Sequence, residues 1–376
     1  MDRITNELSS ALGESSTDED AWLVSVGDVL TNRASPPEFL TEHLMPAAEV
    51  TLLAAHGGTG KSLLMLMWAV HAALGRRFIG KQMTQAPTIF YSAEDPKDII
   101  RYRLAKICDA LQIDPAVVAH FLHIVDATRE PLLFIEGYDP ELHSRYTTTT
   151  TTYTKLQKLG ARVGARYFFI DNASDTFAAD ENKRAQVGAF VRSLRLLGFD
   201  RRAGVVLAAH VDKRTARGEG GGESYSGSSQ WHNSVRSRLF MEEIWEGSIP
   251  GLLLTQGKSN HGRKANAIRL TWNVDGLLEQ IDPEESARIK EILGNARMNE
   301  LLRVIDALTV ENVNIPTATS GPRTVHHVLA SHPQYPRNMK SNETNSLILQ
   351  AERAKKIRRD SYLTEQRKPG ARWMRA

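Results

Sequence analysis

Two sets of residues in this chain are typed and spaced for phosphate chemistry. The denser one is Ala55-His-Gly-Gly-Thr-Gly-Lys61-Ser62, in which Gly57, Gly58, Thr59 and Gly60 lead directly into a lysine and a serine. This is the spacing of a phosphate-binding loop. Its glycines let backbone N–H groups turn inward onto phosphate oxygens, Lys61 reaches the β- and γ-phosphates, and the Ser62 hydroxyl is placed to hold Mg²⁺. The strict pattern has glycine where Ala55 stands, a departure of one methyl group. A chance glycine-rich turn would lack the flanks found here, an apolar strand before the loop and a long apolar helix after it.

The second set lies at the ends of other apolar runs. Tyr167-Phe-Phe-Ile-Asp171 closes on an aspartate about 110 residues after the loop, the Walker B arrangement, in which the carboxylate holds Mg²⁺ through water. Thr88-Ile-Phe-Tyr-Ser-Ala-Glu94-Asp95-Pro96 closes on two acids. Glu94 is our choice for the base that polarises the attacking water, and Asp95, ahead of Pro96, reads as the cap of the next helix. Val205-Val-Leu-Ala-Ala-His210 ends in an imidazole suited to sensing the γ-phosphate and reporting to the loop behind it, although a histidine at a strand end is more often structural.

Such residues need a scaffold that brings strand ends together. From Glu49 to about Ile281, short β-rich runs (Val50–Ala55, Thr88–Ser92, Leu122–Asp126, Tyr167–Asp171, Val205–His210, Leu252–Gln256, Ala267–Trp272) alternate with helical segments at Leu63–Leu74, Asp98–Leu111 and Gln186–Leu197. This alternation predicts an α/β fold with a mostly parallel sheet covered on both faces. Ligands bind such sheets at the carboxyl ends of strands, and every candidate residue is expected at that end.

Two segments interrupt the pattern. Thr147–Thr152 is an unbroken threonine run that β-branching steers away from helix, although Leu156 and Leu159 place a helix start nearby; we have no functional account of it. Arg214–Ser229, with Gly218 and Gly220-Gly-Gly222, reads as a long mobile loop. Before the core, residues 1 to about 45 read as a weakly ordered acidic lead, a short helix and a loop with Pro36-Pro37. After Asp282-Pro283 only helices are expected, at Glu284–Ile292, Met298–Leu308, Thr324–Ser331 and Glu343–Ile357, followed by a short hairpin. That string fits a winged helix or a plain helical cap.

Composition sets the remaining bounds. At 376 residues the chain exceeds one usual core, and 41% hydrophobic with 24% charged residues is ordinary for a globular protein. Cys108, the lone cysteine, forms no internal disulfide and reads as a buried helical residue, which fits a reducing cytoplasm. The start of the chain shows no basic-then-apolar leader, and Leu63–Leu74 is too short to span a bilayer, so a cytoplasmic protein without a membrane partner is expected. The net charge of +3 hides an acidic beginning and a basic end that includes Lys355-Lys356, Arg358-Arg359 and Arg367-Lys368. Such an end suits a polyanion or a solvated helix face.

Taken in order, six motifs agree with one family: Ala-His-Gly-Gly-Thr-Gly-Lys-Ser, Tyr-Ser-Ala-Glu-Asp-Pro, Phe-Ile-Asp, Ala-Ala-His-Val-Asp-Lys213, Ser226-Gly-Ser-Ser-Gln-Trp-His-Asn-Ser-Val-Arg236 and Lys258-Ser-Asn-His-Gly262. Over about residues 45 to 275 the chain closely resembles the RepA-type hexameric replicative helicases of plasmids and phages, within the RecA/DnaB-like superfamily. The resemblance implies a RecA-like P-loop NTPase core over residues 46–282, with ATP and Mg²⁺ as cofactors. It would lie between the acidic lead, 1–45, and a small basic C-terminal helical or winged-helix DNA-binding domain, 283–376.

It further implies that Arg236 is an arginine finger inserted at a neighbouring subunit's γ-phosphate and that Lys258 is a second nucleotide-binding element acting in trans. Related helicases carry arginine where Asn260 stands, which leaves open whether Arg238 or Arg263 assists Arg236. A finger in trans makes the protein a homo-oligomer, by resemblance a hexameric ring. Lys213, Arg214 and Arg217 would line its channel and hold single-stranded DNA by its phosphates, with a primase or an initiator protein as a candidate further partner. The implied function is an ATP-dependent DNA translocase and replicative helicase. A same-fold repair or recombination ATPase without unwinding, and an ATP-switched DNA-binding regulator of a mobile element, stay open beside it.

Overall fold

A computed structural model describes residues 26–27, 35–211, 230–246, 249–336, 339–363 and 369–376. Its strands, in chain order, begin with a short antiparallel pair, β1 (Phe39–Thr41) and β2 (Met45–Pro46), followed by β3 (Val50–Ala55), β4 (Thr88–Ser92) and β5 (Leu122–Asp126). Next come the hairpin β6 (Phe134–Asp139) and β7 (Ser144–Thr149), then β8 (Tyr167–Asp171), β9 (Phe177–Ala178) and β10 (Gly204–His210). The core strands end with β11 (Ser237–Glu246), β12 (Ile249–Ser259), β13 (Ile268–Trp272) and β14 (Leu278–Gln280). Beyond them lie β15 (Ile315–Pro316), β16 (Ile357–Leu363) and β17 (Pro369–Arg375).

Among the described residues, one sheet runs in the order β14-β13-β12-β11-β3-β10-β8-β4-β5. From β11 to β5 all neighbours are parallel, while β12, β13 and β14 are added antiparallel. The parallel strands are continuous apolar runs because both faces are covered. Alternation along them sorts the side chains into two cores. Leu53, Ala55, Phe90, Phe169, Val206 and Ala208 meet the Lys61–Leu74 helix on one side. On the other, Leu52, Ala54, Ile89, Phe168, Ile170 and Leu207 meet Tyr153 and Leu156 of the Thr151–Val163 helix and Phe190 and Leu194 of Arg184–Arg195. The expected mostly parallel α/β sheet is therefore present. Trp68 anchors the first core, stacked on Phe78 at 5.5 Å and donating its indole N–H to Thr41 at 2.9 Å. Cys108 is buried in the Lys97–Ala110 helix.

Several boundaries differ from the sequence expectation for identifiable reasons. The threonine run is divided between two elements: Thr147–Thr149 finish β7, where β-branching is favoured, Thr150 accepts the Tyr153 N–H at 3.1 Å as a helix cap, and the helix starts at Thr151. β11 was not anticipated; its Glu242 and Glu243 interrupt the apolar pattern of an otherwise strand-like run. In the C-terminal region the two helices expected at Glu284–Ile292 and Met298–Leu308 are one, Pro283–Val310, capped by Asp282 and started by Pro283 at its first turn. Gly294 weakens that helix without stopping it. The expected short helix before Pro36 and the Arg214–Ser229 loop lie outside the described residues.

Pro283–Val310, β15, a helix at Val325–Ala330, a helix at Ser341–Arg353, then β16 and β17 follow in winged-helix order, with the sheet arranged β15-β17-β16. This unit has its own core, built from Leu301, Ile305, Val325, Leu329, Ile348 and Trp373 among others. Among the described residues no helix is long and apolar enough to cross a membrane.

Candidate active site

β3 ends at Ala55 and the chain turns through His56–Gly60 into the Lys61–Leu74 helix. Gly58 and Gly60 take φ values of 83° and 88°, left-handed conformations that favour glycine. At Gly60 a side chain is doubly excluded, because a Cβ would stand 2.6 Å from the Trp272 ring. Ala55 meets no such demand. It is a strand residue paired with His210 and Met241, which is why the methyl group is tolerated where the strict pattern has glycine. The helix start carries no side-chain cap and no acid in its first turn, leaving its N–H groups and dipole to an anion.

Beside the loop, Lys61 donates to Asp171 Oδ1 at 3.2 Å, and both side chains are buried. The other oxygen, Asp171 Oδ2, is buried without a hydrogen-bond partner. A buried carboxylate oxygen without a partner, on the aspartate that holds the loop lysine and with Ser62 next to that lysine in the chain, fits a hydrated divalent cation. Glu94 is also held in place: Asn172 donates to its Oε2 at 2.8 Å, and His210 Nε2 lies 3.7 Å from the same oxygen. Asn172 is buried and fixed in turn by accepting the Asp175 N–H at 3.1 Å. Thus Lys61, Ser62, Glu94 and His210 line a cleft of about 320 Å³ at the carboxyl ends of β3, β4 and β10, and the buried Asp171, at the end of β8, is tied to it through Lys61.

Asp95 does not cap the helix that follows it. The Lys97 N–H is taken by Asp126 at 3.0 Å, and Asp95 instead forms an ion pair with Arg103 at the cleft wall. Pro96 occupies the cap position itself and directs the chain so that the Asp126 carboxylate, at the end of neighbouring β5, reaches the first helical N–H. Three residues that sequence reasoning missed complete the site: Asn172, Arg103 and Trp272. Asn172 was signalled by its place directly after Asp171, and Trp272 by ending a strand, whereas Arg103 carried no local signal.

Arg236 and Lys258 lie, contrary to expectation, at the edge of the sheet opposite the phosphate loop: Arg236 precedes β11, and Lys258, near the end of antiparallel β12, stands at the same end. β11 runs parallel to β3 with Ser237 opposite Thr51, and the Arg236 N–H donates to Val50 O at 3.3 Å, so Arg236 stands at the beginning of β3, not at its loop end. Antiparallel pairing brings Lys258 opposite Arg238 at the same edge. The Lys258 ammonium donates to the carbonyls of His232 and Asn233 at 2.9 and 3.2 Å, and burial together with the charges of Arg236 and Arg238 lowers its pKa. Neither residue reaches the cleft of its own chain. Arg236 is exposed, Arg238 is buried against the His232 ring, and Arg263 is exposed. Lys213, Arg214 and Arg217 lie outside the described residues.

A family model described as an AAA domain matches residues 15–216, more than half of the chain, a span that holds the loop, Glu94, Asp171 and His210 and stops short of β11. Compared with curated proteins, the chain finds no match.

Proposed function

The chain belongs to the AAA domain family of P-loop ATPases, and from that premise we propose that it hydrolyses ATP at boundaries between its own subunits to move along single-stranded DNA as a replicative helicase. In this reading Lys61 and the loop N–H groups hold the β- and γ-phosphates, while Ser62 and Asp171 hold Mg²⁺. The bound ion would neutralise charge developing on the transferred phosphoryl group. Glu94 orients the attacking water and accepts its proton, and Asn172 keeps the carboxylate aimed. His210 touches Glu94 and heads the segment that carries Lys213, Arg214 and Arg217, so a change at the γ-phosphate has a short path to a DNA grip. The Trp272 ring, beside Gly60, offers a flat apolar face to the adenine.

The placement of Arg236 carries the reading. Arg236 is exposed at the far end of β3 from the phosphate loop, a placement that supports a role at the phosphate site of another copy of the chain and with it an oligomeric working unit. Unwinding of a forked duplex, measured beside DNA-stimulated ATPase activity, tests the helicase assignment. Stimulated hydrolysis with no strand separation at any salt would favour a repair or recombination ATPase that remodels DNA without unwinding it.

The winged-helix unit favours a second reading, an ATP-switched DNA-binding regulator. Function that survives Lys61→Ala but is lost on truncation after Asp282 would select it.

A further inference from the structure

The helix Ser341–Arg353 buries Thr344, Leu347, Ile348 and Ala351 in the C-terminal core. Asn342, Ser346, Leu349, Gln350 and Arg353 are exposed, and their spacing places them along one outward stripe. The stripe bears amides, a hydroxyl and a cation, with no carboxylate. Both acids of the helix are engaged from the side, Glu343 by Arg297 of the long helix and Glu352 by Arg359 of β16 at 3.0 Å. Acids of the adjoining elements are neutralised too, Asp360 by Arg372 and Asp306 by Arg375, each at 2.9 Å. By contrast Lys340, just before the helix, and Lys355, Lys356 and Arg358, just after it, are exposed and form no ion pair among the described residues.

Neutral hydrogen-bonding groups therefore occupy the middle of this face and unpaired cations occupy both ends, along a helix about 20 Å long. A protein partner docking on a helix needs apolar anchors, and Leu349, 45% exposed, is the lone large apolar side chain on the stripe. We infer that this face binds double-stranded DNA, with Ser341–Arg353 in the major groove. Asn342, Ser346 and Gln350 face base edges, where asparagine and glutamine can pair with adenine through two hydrogen bonds. Lys340, Arg353, Lys355 and Lys356 meet the flanking phosphates. The site belongs to a hydrophobic core separate from that of the ATP cleft, and it gives the chain a duplex anchor in addition to the single strand it would travel on.

The test is fluorescence anisotropy of the full chain on a short blunt duplex of mixed sequence across a range of salt. Lys355→Glu/Lys356→Glu is compared with Asn342→Ala/Gln350→Ala and with Lys61→Ala, each first checked for native circular dichroism. The charge reversal is expected to weaken duplex binding at least tenfold and to lower the salt slope by about 1.8, from roughly 0.9 per phosphate contact. The amide variant should keep the slope while losing preference among duplex sequences, and Lys61→Ala should bind duplex like the wild type. An unchanged affinity and slope in the charge-reversed variant, or no duplex binding by the wild type, overturns the inference. So does a charge-reversed variant that keeps duplex binding and loses self-association, which would assign the face to a second copy. A wild-type chain that binds duplex but lacks ATPase activity would defeat the motor reading and leave this one standing.

Discussion

Mixing two inactive variants gives the sharpest test of the proposed subunit-interface site. Arg236 is level with Val50, and the phosphate loop begins after Ala55, so the two are separated by five strand positions. At roughly 3.3 Å per residue that is about 17 Å, well beyond the reach of an arginine side chain. Arg236→Ala should therefore leave ATP binding by its own chain intact while lowering turnover by about 10³-fold or more, the loss seen when a finger is removed. That corresponds to about 4 kcal/mol of transition-state stabilisation. Lys61→Ala should be inactive for the opposite reason, with its finger intact and its cleft disabled. When equal amounts are mixed, an interface is complete wherever an Arg236→Ala chain contributes the cleft and a Lys61→Ala chain contributes the finger. Random assembly of a head-to-tail oligomer makes about a quarter of interfaces complete, whatever the number of subunits. Steady-state phosphate release should accordingly recover to about a quarter of the wild-type rate, if each interface turns over independently. Co-sedimentation of differently tagged variants establishes that mixed oligomers have formed. No recovery in such mixed oligomers would refute the reasoning, because a finger acting within its own chain cannot be complemented.

Three further outcomes follow from the same geometry. Glu94→Gln should lower kcat by about 10²–10⁴ while ATP still binds, and Asn172→Ala should fall between it and the wild type, measured by single-turnover hydrolysis. Trp272→Ala should raise KM for ATP by up to about tenfold, equivalent to the roughly 0.5–1.5 kcal/mol of one aromatic stack, and should remove nucleotide-dependent tryptophan quenching. His71 Nδ1–H donates a 2.7 Å hydrogen bond to Arg77 O, and burial holds its imidazole pKa below the usual 6.5, so the native state binds fewer protons than the unfolded chain as the pH falls through that range. Stability should then rise with pH below 6.5 and level off above it; in His71→Gln the loss of thermal stability between pH 6.5 and about 5 should be smaller than in the wild type.

Much of this architecture can be read in the chain because the relevant signals are local. Val50–Ala55, Tyr167–Asp171 and Val205–His210 are apolar runs closed by a glycine loop, an acid and a histidine, and a parallel sheet gathers such ends without further information. Pairing between distant segments is less accessible. Nothing in Ser237–Glu246 states that it will lie beside β3, yet that neighbour decides where Arg236 stands. Asp95 shows the same limit: its sequence context favours a cap, but Asp126, on the next strand, reaches the Lys97 N–H instead. Arg103 enters the cleft wall through the angle of its helix, a property of packing that no local spacing encodes. In the C-terminal unit, the apolar spacing marks two helical stretches but not their continuity, and helix propensity on both sides carries one helix through Gly294.

β3 joins these pieces mechanically. All six of its residues are buried, it is hydrogen-bonded to β10 on one side and β11 on the other, and it has the phosphate loop at one end and Arg236 beside the other. A strand clamped in this way behaves as a stiff lever. In the proposed oligomer, a subunit that tilts when its own cleft fills would swing its arginine through the same arc, so the gap free to open or close would be the one at the next subunit's phosphates.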